Sequence, residues 1–369
     1  MRKNILGISC VFLMVFIVLM VFGMPSVALA SNYQTVSQTA NEYAPISNNE
    51  LANSAKSAYL ADYETGTVIY QKNPNEKLPI ASMVKIMTSL LTLEAVDSGK
   101  IKMDDMVVVS AEAAGMGGSQ VFLDANSKHK LSDLIKCIVV ASANDASVAV
   151  AEYLGGSEGA FVTLMNKRAN ELGMTNTHFS NCTGLPAPEN FSCAKDVFTM
   201  TRELVKHPQY FNYSRIWLED YAHPDGRKTT ITNTNKLVRF YNGCDGGKTG
   251  FTSEARFCLS ATAKRGGMRI MAVIIGVDNS KVRFAEVSKM LNYAFGNYEN
   301  RVLLANNAEI ENTVEVIRGK SSVAKIVAEK NICAFLKRGE ESKYELKYEL
   351  PEVLKAPLKR GDVVGKIVV

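Results

Sequence analysis

A serine and a lysine stand three positions apart at the head of an apolar run, Ile80-Ala81-Ser82-Met83-Val84-Lys85, which continues from Ile86 to Leu93. The run predicts a helix, and its apolar flanks, Leu78 to Ile80 and Ile86 to Leu93, are consistent with burial of the lysine. On a helix, positions i and i+3 share one face, about 5–6 Å apart between Cβ atoms, so the Lys85 amine reaches the Ser82 hydroxyl. An amine whose ammonium form is disfavoured by burial can take that hydroxyl's proton and turn a poor nucleophile into a good one. Ser-x-x-Lys recurs at Ser127/Lys130 and Ser322/Lys325. The choice among the three has to come from the rest of the chain.

The first 30 residues read as an export signal: Arg2 and Lys3, an apolar run from Ile5 to Met24, and the small-x-small pattern Ala28-Leu29-Ala30. Cleavage is expected after Ala30, leaving a mature chain that works outside the cytoplasm; the alternative is a retained anchor, since a run of about 20 apolar residues can span a bilayer. Removing Arg2 and Lys3 takes the formal charge from +5 to +3, a balance that gives no reason to propose a nucleic-acid partner. Cys137, Cys182, Cys193, Cys244, Cys258 and Cys333 follow no zinc spacing, and the four histidines are scattered. No metal or cofactor is expected, and free, partly buried thiols are.

Residues 31–53, rich in Ser, Asn, Gln and Thr, read as a flexible lead-in. Two short strands, Ala58 to Ala61 and Thr67 to Tyr70, flank the turn around Gly66. After the Ser82 helix come a strand at Met106 to Val109 and a glycine-rich stretch, Gly115 to Gln120. Apolar residues at helical spacing predict a helix over Leu131 to Ala141, a second to about Leu154, and a third from Glu158 to Leu172 capped by Ser157. Residues 176–247 read as loop-rich. Strands then return around Gly246 to Phe251, Arg256 to Ala263 and Arg269 to Val277, followed by a helix from about Lys281 to Phe295. In Lys343 to Leu350 the apolar residues fall at every second position, a strand with one buried face, and a small all-β domain is placed over residues 297–369.

Three motifs in order, Ser82-x-x-Lys85, Ser142-x-Asn144 and Lys248-Thr249-Gly250, single out the first Ser-Lys pair. This set is the signature of penicillin-binding proteins and β-lactamases. A further Ser-x-Asn at Ser47/Asn49 precedes the expected fold, and Lys-Thr-Gly occurs once. The segments Ala81 to Thr88, Ala141 to Ala146, Thr183-Gly184-Leu185 and Asp245 to Thr252 together resemble the serine-type D-alanyl-D-alanine carboxypeptidases, the low-molecular-mass penicillin-binding proteins. The resemblance implies an α+β transpeptidase fold: an antiparallel sheet flanked by helices, a mostly helical insertion between roughly residues 80 and 240, a catalytic domain over 54–296 and a β-rich C-terminal domain.

It also implies roles. Ser82 would be the nucleophile and Lys85 its base; Ser142 would relay a proton to the departing D-alanine, and Asn144 would steady Lys85 and the substrate amide. Lys248 and Thr249 would hold the terminal carboxylate of a peptidoglycan stem peptide, with Gly250 and Phe251 completing the binding strand and the Phe251 N–H sharing the oxyanion with that of Ser82. β-Lactams would acylate the same serine. Arg283 is a second carboxylate anchor by the same resemblance, or an ordinary arginine. Cys182 stands where the family usually has proline, and the last 30 residues show no apolar stripe of the kind an interfacial anchor needs. A class A-like β-lactamase would need a glutamate after Ser-x-Asn, and Thr175 to Pro188 contains no acidic residue. A catalytically silent wall-binding scaffold is the rival of another class; three intact motifs speak against it.

Overall fold

The computed structural model describes residues 50–341 and 344–369. The expected export signal, most of the lead-in and Ser47/Asn49 lie outside the described residues. Leu51 and Ala52, assigned to the lead-in, are fully buried, and the Tyr70 hydroxyl donates to the Leu51 carbonyl at 2.7 Å. Packed chain therefore begins a few residues earlier than the composition suggests.

The sheet that carries the molecule is built from two segments far apart in sequence. β1 (Ser57–Asp62) and β2 (Val68–Lys72) form the first hairpin; β7 (Cys244–Thr252), β8 (Arg256–Arg265) and β9 (Met268–Val277) form the second unit. They join in the order β2-β1-β9-β8-β7, antiparallel throughout, with Tyr59 opposite Val273. Every residue of β9 is buried, as a near-continuous apolar run in a central strand requires. Among the described residues β7 is an edge strand, with no further strand beside it.

Between the two hairpins lies the mostly helical insertion. A 3-10 turn over Ala81–Val84 leads into α1 (Lys85–Asp97). β3 (Met106–Val108), α2 (Ala111–Ala114) and β4 (Lys128–Lys130) precede α3 (Leu131–Ala141), α4 (Asn144–Gly155) and α5 (Glu158–Glu171), the last capped by the Ser157 side chain. The stretch read as loop-rich holds more order than expected: α6 (Ala194–Leu204), α7 (Tyr210–Ser214), a hairpin of β5 (Leu218–Ala222) and β6 (Lys228–Thr232), and α8 (Leu237–Phe240). Ala194, Val197, Phe198, Thr201 and Leu204 of α6 are all buried, a helical spacing that the surrounding prolines and polar residues obscure. One apolar core lies between the sheet and α1, α3, α4 and α6; a second lies between the other sheet face and α9 (Ser280–Asn297).

After α9 the chain turns to short strands. β10 (Tyr298–Leu304) pairs with β13 (Ile332–Lys337), while β11 (Val314–Ile317) lies between β12 (Val323–Ala324) and β15 (Val353–Lys355). β14 (Lys347–Glu349) pairs with β16 (Lys366–Val368). The alternation expected over Lys343 to Leu350 survives as this shorter strand, with Tyr348 and Leu350 half-buried. All six cysteines from Cys137 to Cys333 are free; five are buried and Cys333 is half-buried.

Candidate active site

Ser82 sits on the 3-10 turn and Lys85 at its junction with α1, rather than both on one α-helix. In a 3-10 geometry positions i and i+3 eclipse, which brings the pair together at least as well. The Lys85 amine lies 3.2 Å from the Ser82 hydroxyl, 2.6 Å from Asn144 Oδ1 and 2.6 Å from the Thr183 carbonyl. The last two oxygens can only accept, so they engage two of the amine's protons. The remaining position on nitrogen faces Ser82, where it holds a third proton when the amine is charged and a lone pair when it is not. Complete burial pulls the Lys85 pKa down to about 7, against the smaller opposing pull of Cys182 and Asp145. A lysine in this pocket is a base near neutral pH.

Asn144 is fixed on every side. Its side-chain amide donates to the Gly117 carbonyl at 2.7 Å, and its backbone N–H donates to the Ser119 carbonyl at 2.7 Å. A side chain at Gly118 would put its Cβ 2.8 Å from Asn144 Nδ2, at a φ of +78°, so the glycine-rich stretch serves as close backbone packing around this amide. Next to it, the buried Asp145 carboxylate accepts from the backbone N–H groups of Val121, Leu123 and Ala146. The carboxylate thereby ties the 121–123 segment to the start of α4.

Ser142 ends α3 in a left-handed conformation, φ +63°, which turns its hydroxyl toward β7. Lys248 donates to that hydroxyl at 2.7 Å and to the Thr249 carbonyl at 3.1 Å. Burial lowers the Lys248 pKa well below the ordinary lysine range, with the positive charges of Lys85 and Arg283 adding to the effect. Ser142 and Asn144, two positions apart on one loop, thus link the Lys248 and Lys85 amines.

Two glycines set the spacing between these parts. A Cβ at Gly184 would lie 2.0 Å from the Ala81 carbonyl oxygen, and one at Gly250 would lie 2.5 Å from the Ile80 carbonyl oxygen. The Ser82 turn is held between them, with Ala81 itself at a φ of +47°. Such strain beside a nucleophile persists only where the surroundings over-determine it. β7 is anchored from below by a register shift at Asp245, whose carboxylate takes two bonds from Arg269, at 2.8 and 2.9 Å. The buried Tyr210 hydroxyl accepts from the Gly247 N–H at 2.9 Å. Thr249 is buried beside Lys248, whereas Phe251 is 54% exposed and stacks on Phe257 across the hairpin.

The structure therefore brings together Ser82, Lys85, Ser142, Asn144, Lys248 and Thr249, with Gly250 packed on the Ser82 turn and Phe251 at the rim. It separates the rival pairs: the Ser127 hydroxyl donates to the Asp124 carbonyl while Lys130 pairs with Asp104, and Lys325 pairs with Glu309 on the surface. Arg283 is buried close enough to Lys248 for its charge to help lower that amine's pKa, and its guanidinium donates to the Gly250 and Cys258 carbonyls at 3.2 Å each, tying β7 to β8. Thr183 and Asp245 belong to segments that carry the resemblance, but neither has a role that can be read from sequence: Thr183 acts through a backbone carbonyl, which every residue has, and Asp245, like Arg269 and Tyr210, has partners remote in sequence.

A profile of the D-alanyl-D-alanine carboxypeptidase family matches residues 44–279, and one described as penicillin-binding protein 5, C-terminal domain, matches residues 298–369. D-alanyl-D-alanine carboxypeptidase DacF of Bacillus subtilis is 44% identical over 323 residues, covering 86% of this chain and 82% of the relative. DacC of Escherichia coli is 35% identical over 326 residues, covering 85% and 79%. Among solved structures, penicillin binding protein 5 from Haemophilus influenzae aligns with a TM-score of 0.70 at 32% identity, covering 85% of this chain and 92% of that one. With this fold, this site and these relatives, the chain belongs to the D-alanyl-D-alanine carboxypeptidase family of low-molecular-mass penicillin-binding proteins.

Proposed function

We propose that Ser82 is the acylated nucleophile of this carboxypeptidase, working outside the cytoplasm on peptidoglycan stem peptides that end in D-Ala-D-Ala. The observation that carries the assignment is the Lys85 amine, held by the Asn144 and Thr183 oxygens so that its remaining position faces the Ser82 hydroxyl. Ser82 Oγ attacks the penultimate D-alanine carbonyl and its proton passes to Lys85. The tetrahedral oxyanion is held by the Ser82 and Phe251 N–H groups, donors of a kind whose individual loss typically costs about a hundredfold or more in rate. The C–N bond then breaks, and the amine of the leaving D-alanine takes a proton through Ser142. Water attacks the Ser82 ester, its proton passing through Lys85 to Ser82 Oγ as the ester breaks, which returns free enzyme and the shortened peptide.

Lys248 and Thr249 take the terminal carboxylate, which confines cleavage to the end of a peptide. The extended substrate lies along the free edge of β7, exchanging main-chain hydrogen bonds with it. A β-lactam enters the same way, and its ring remains attached after acylation and obstructs the water. A glutamate-assisted β-lactamase finds no support, since among the described residues no carboxylate hydrogen-bonds Ser82 or Lys85.

The test is intact mass against time with benzylpenicillin, beside release of D-alanine from a pentapeptide ending in D-Ala-D-Ala. The expected result is a persistent penicilloyl adduct and D-alanine release, both absent in Ser82→Ala. Adduct formation surviving in Ser82→Ala would remove the nucleophile assignment, and rapid accumulation of penicilloate would point to a β-lactamase.

A further inference from the structure

The chain's single tryptophan, Trp217, is half-buried and edge-on to Phe240 with ring centroids 5.5 Å apart. Phe240 is 73% exposed and Leu218 is 58% exposed. The two segments that carry them, Arg215 to Trp217 running into β5 at Leu218, and α8 with its preceding Lys236, are held in fixed relation. The Asn233 N–H donates to the Trp217 carbonyl at 2.8 Å, and the Asn233 side chain donates to the Ser214 and Ile216 carbonyls. The aromatic pair is thus a built surface feature, next to the Asn235 amide that donates to Gly246 at the base of β7.

Cations surround it. Lys236 and Arg239 are exposed, and among the described residues neither makes an ion pair. Arg215 is largely exposed, stacks on Phe211 and touches Asp245 at 3.5 Å. On the acidic side, Lys136 pairs with both Glu219 at 2.7 Å and Asp133 at 3.3 Å, and Asp220 accepts from Thr230. The charged residues flanking Phe240 on its own segment, Lys236 and Arg239, are both cationic. Apart from the edge of Trp217, Phe240 is open, and among the described residues no carboxylate pairs with Lys236 or Arg239.

We propose that Arg215, Trp217, Leu218, Lys236, Arg239 and Phe240 form a docking surface for an anionic bilayer, with the aromatic and leucine side chains entering the headgroup boundary and the cations meeting lipid phosphates. Aromatic side chains ringed by Lys and Arg match that environment, apolar below and anionic above. A neutral glycan fits less well, because sugar recognition stacks on an open ring face. Here Trp217 is half-buried and turned edge-on to Phe240, and the flanks are cations rather than amides and carboxylates. Docking here would hold the base of β7 close to the membrane surface and favour stem peptides presented there.

The lone tryptophan makes the surface its own reporter. Full-length protein is mixed with vesicles of phosphatidylglycerol and phosphatidylcholine, or of phosphatidylcholine alone, and Trp217 emission is followed with and without lipids brominated along their chains. The expected result is a blue shift and bromine quenching with the anionic vesicles, both weakened by salt. Phe240→Ser should weaken vesicle affinity about tenfold, and Lys236→Gln and Arg239→Gln about fivefold each, with penicillin acylation unchanged in all three. Co-sedimentation with anionic vesicles while Trp217 emission neither shifts nor is quenched would overturn the proposal, since attachment would then run through another part of the chain. Equal quenching in pure phosphatidylcholine would refute the anionic requirement, and a shift only on adding soluble glycan fragments would reassign the surface to sugar.

Discussion

A lysine acts as a base only when it has lost its proton, so the burial of Lys85 is the condition for its chemistry. Below about pH 7 the amine carries its third proton toward Ser82 and cannot accept another; above it the lone pair is free. Lys248 works in the opposite sense, because it must be charged to meet a carboxylate, yet burial drives its pKa down. The second-order constant for acylation reports the free enzyme's groups. It should therefore rise about tenfold per pH unit as pH climbs toward 7, then fall again at a pH below the ordinary lysine range. A rate that is flat across pH 7 would contradict the Lys85 assignment, and one that shows no fall until the ordinary lysine range would contradict that of Lys248. Lys248→Gln removes the charge but keeps much of the shape. Loss of one member of a buried charge pair costs about 2–5 kcal/mol, so peptide turnover should fall by about thirtyfold or more. The alkaline limb should vanish with it, while a turnover within a few-fold of the parent would assign carboxylate binding elsewhere.

At the scale of elements, the site depends on how closely the Ser82 turn, the 183–185 loop and β7 approach one another. Gly250→Ala isolates that spacing, because Gly250 needs no left-handed φ and what opposes a side chain is the Ser82 turn itself, the Ile80 carbonyl at 2.5 Å and the Ala81 Cβ at 3.2 Å. Relief requires β7 to retreat from the turn, which moves the Phe251 N–H away from the oxyanion position. Acylation should fall by about a hundredfold, with circular dichroism and chromatographic behaviour unchanged; full acylation by a folded variant would show that the strand has slack. The same closeness explains what could be read from the sequence. The helices over Leu131 to Ala141, Asn144 to Gly155 and Glu158 to Glu171 carry local apolar spacing and a serine cap, and the three motifs are conspicuous because their chemistry needs particular side chains. Missing from such a reading are features that only the fold assembles. The Thr183 carbonyl reaches Lys85 across 98 positions, the Asp245–Arg269 pair sits at the register shift at the base of β7, and Arg283 ties the Gly250 and Cys258 carbonyls together.

For the whole molecule, the catalytic sheet closes around an insertion running from β2 to β7, and its second core is sealed by α9. Residues 298–369 meet that seal at one corner. Tyr298 stacks on Phe335 at 5.0 Å and lies edge-on to Tyr293 of α9, while the Arg338 backbone N–H donates to the Asn297 carbonyl at 2.7 Å. None of the groups gathered around Ser82 comes from this segment: Thr183, Ser142, Asn144, Lys248 and Gly250 all precede α9. If residues 298–369 are a unit of their own, as the change from apolar helices to short charged strands suggests, a chain ending at Asn297 should lose stability but keep its chemistry. Uncovering Tyr293 and Phe295 should cost about 2 kcal/mol, and at about 2–4 °C per kcal/mol for a domain of this size the Tm should drop by about 4–8 °C. Penicillin acylation at 25 °C should stay within about twofold of the full chain, because a loss at the far end of α9 leaves the Lys85 pocket and the Gly250 contact in place. A tenfold loss in a shortened chain that still melts cooperatively would mean that the β-rich segment shapes the cleft through α9 and the Arg283 brace, and the boundary at Asn297 would then divide one functional unit.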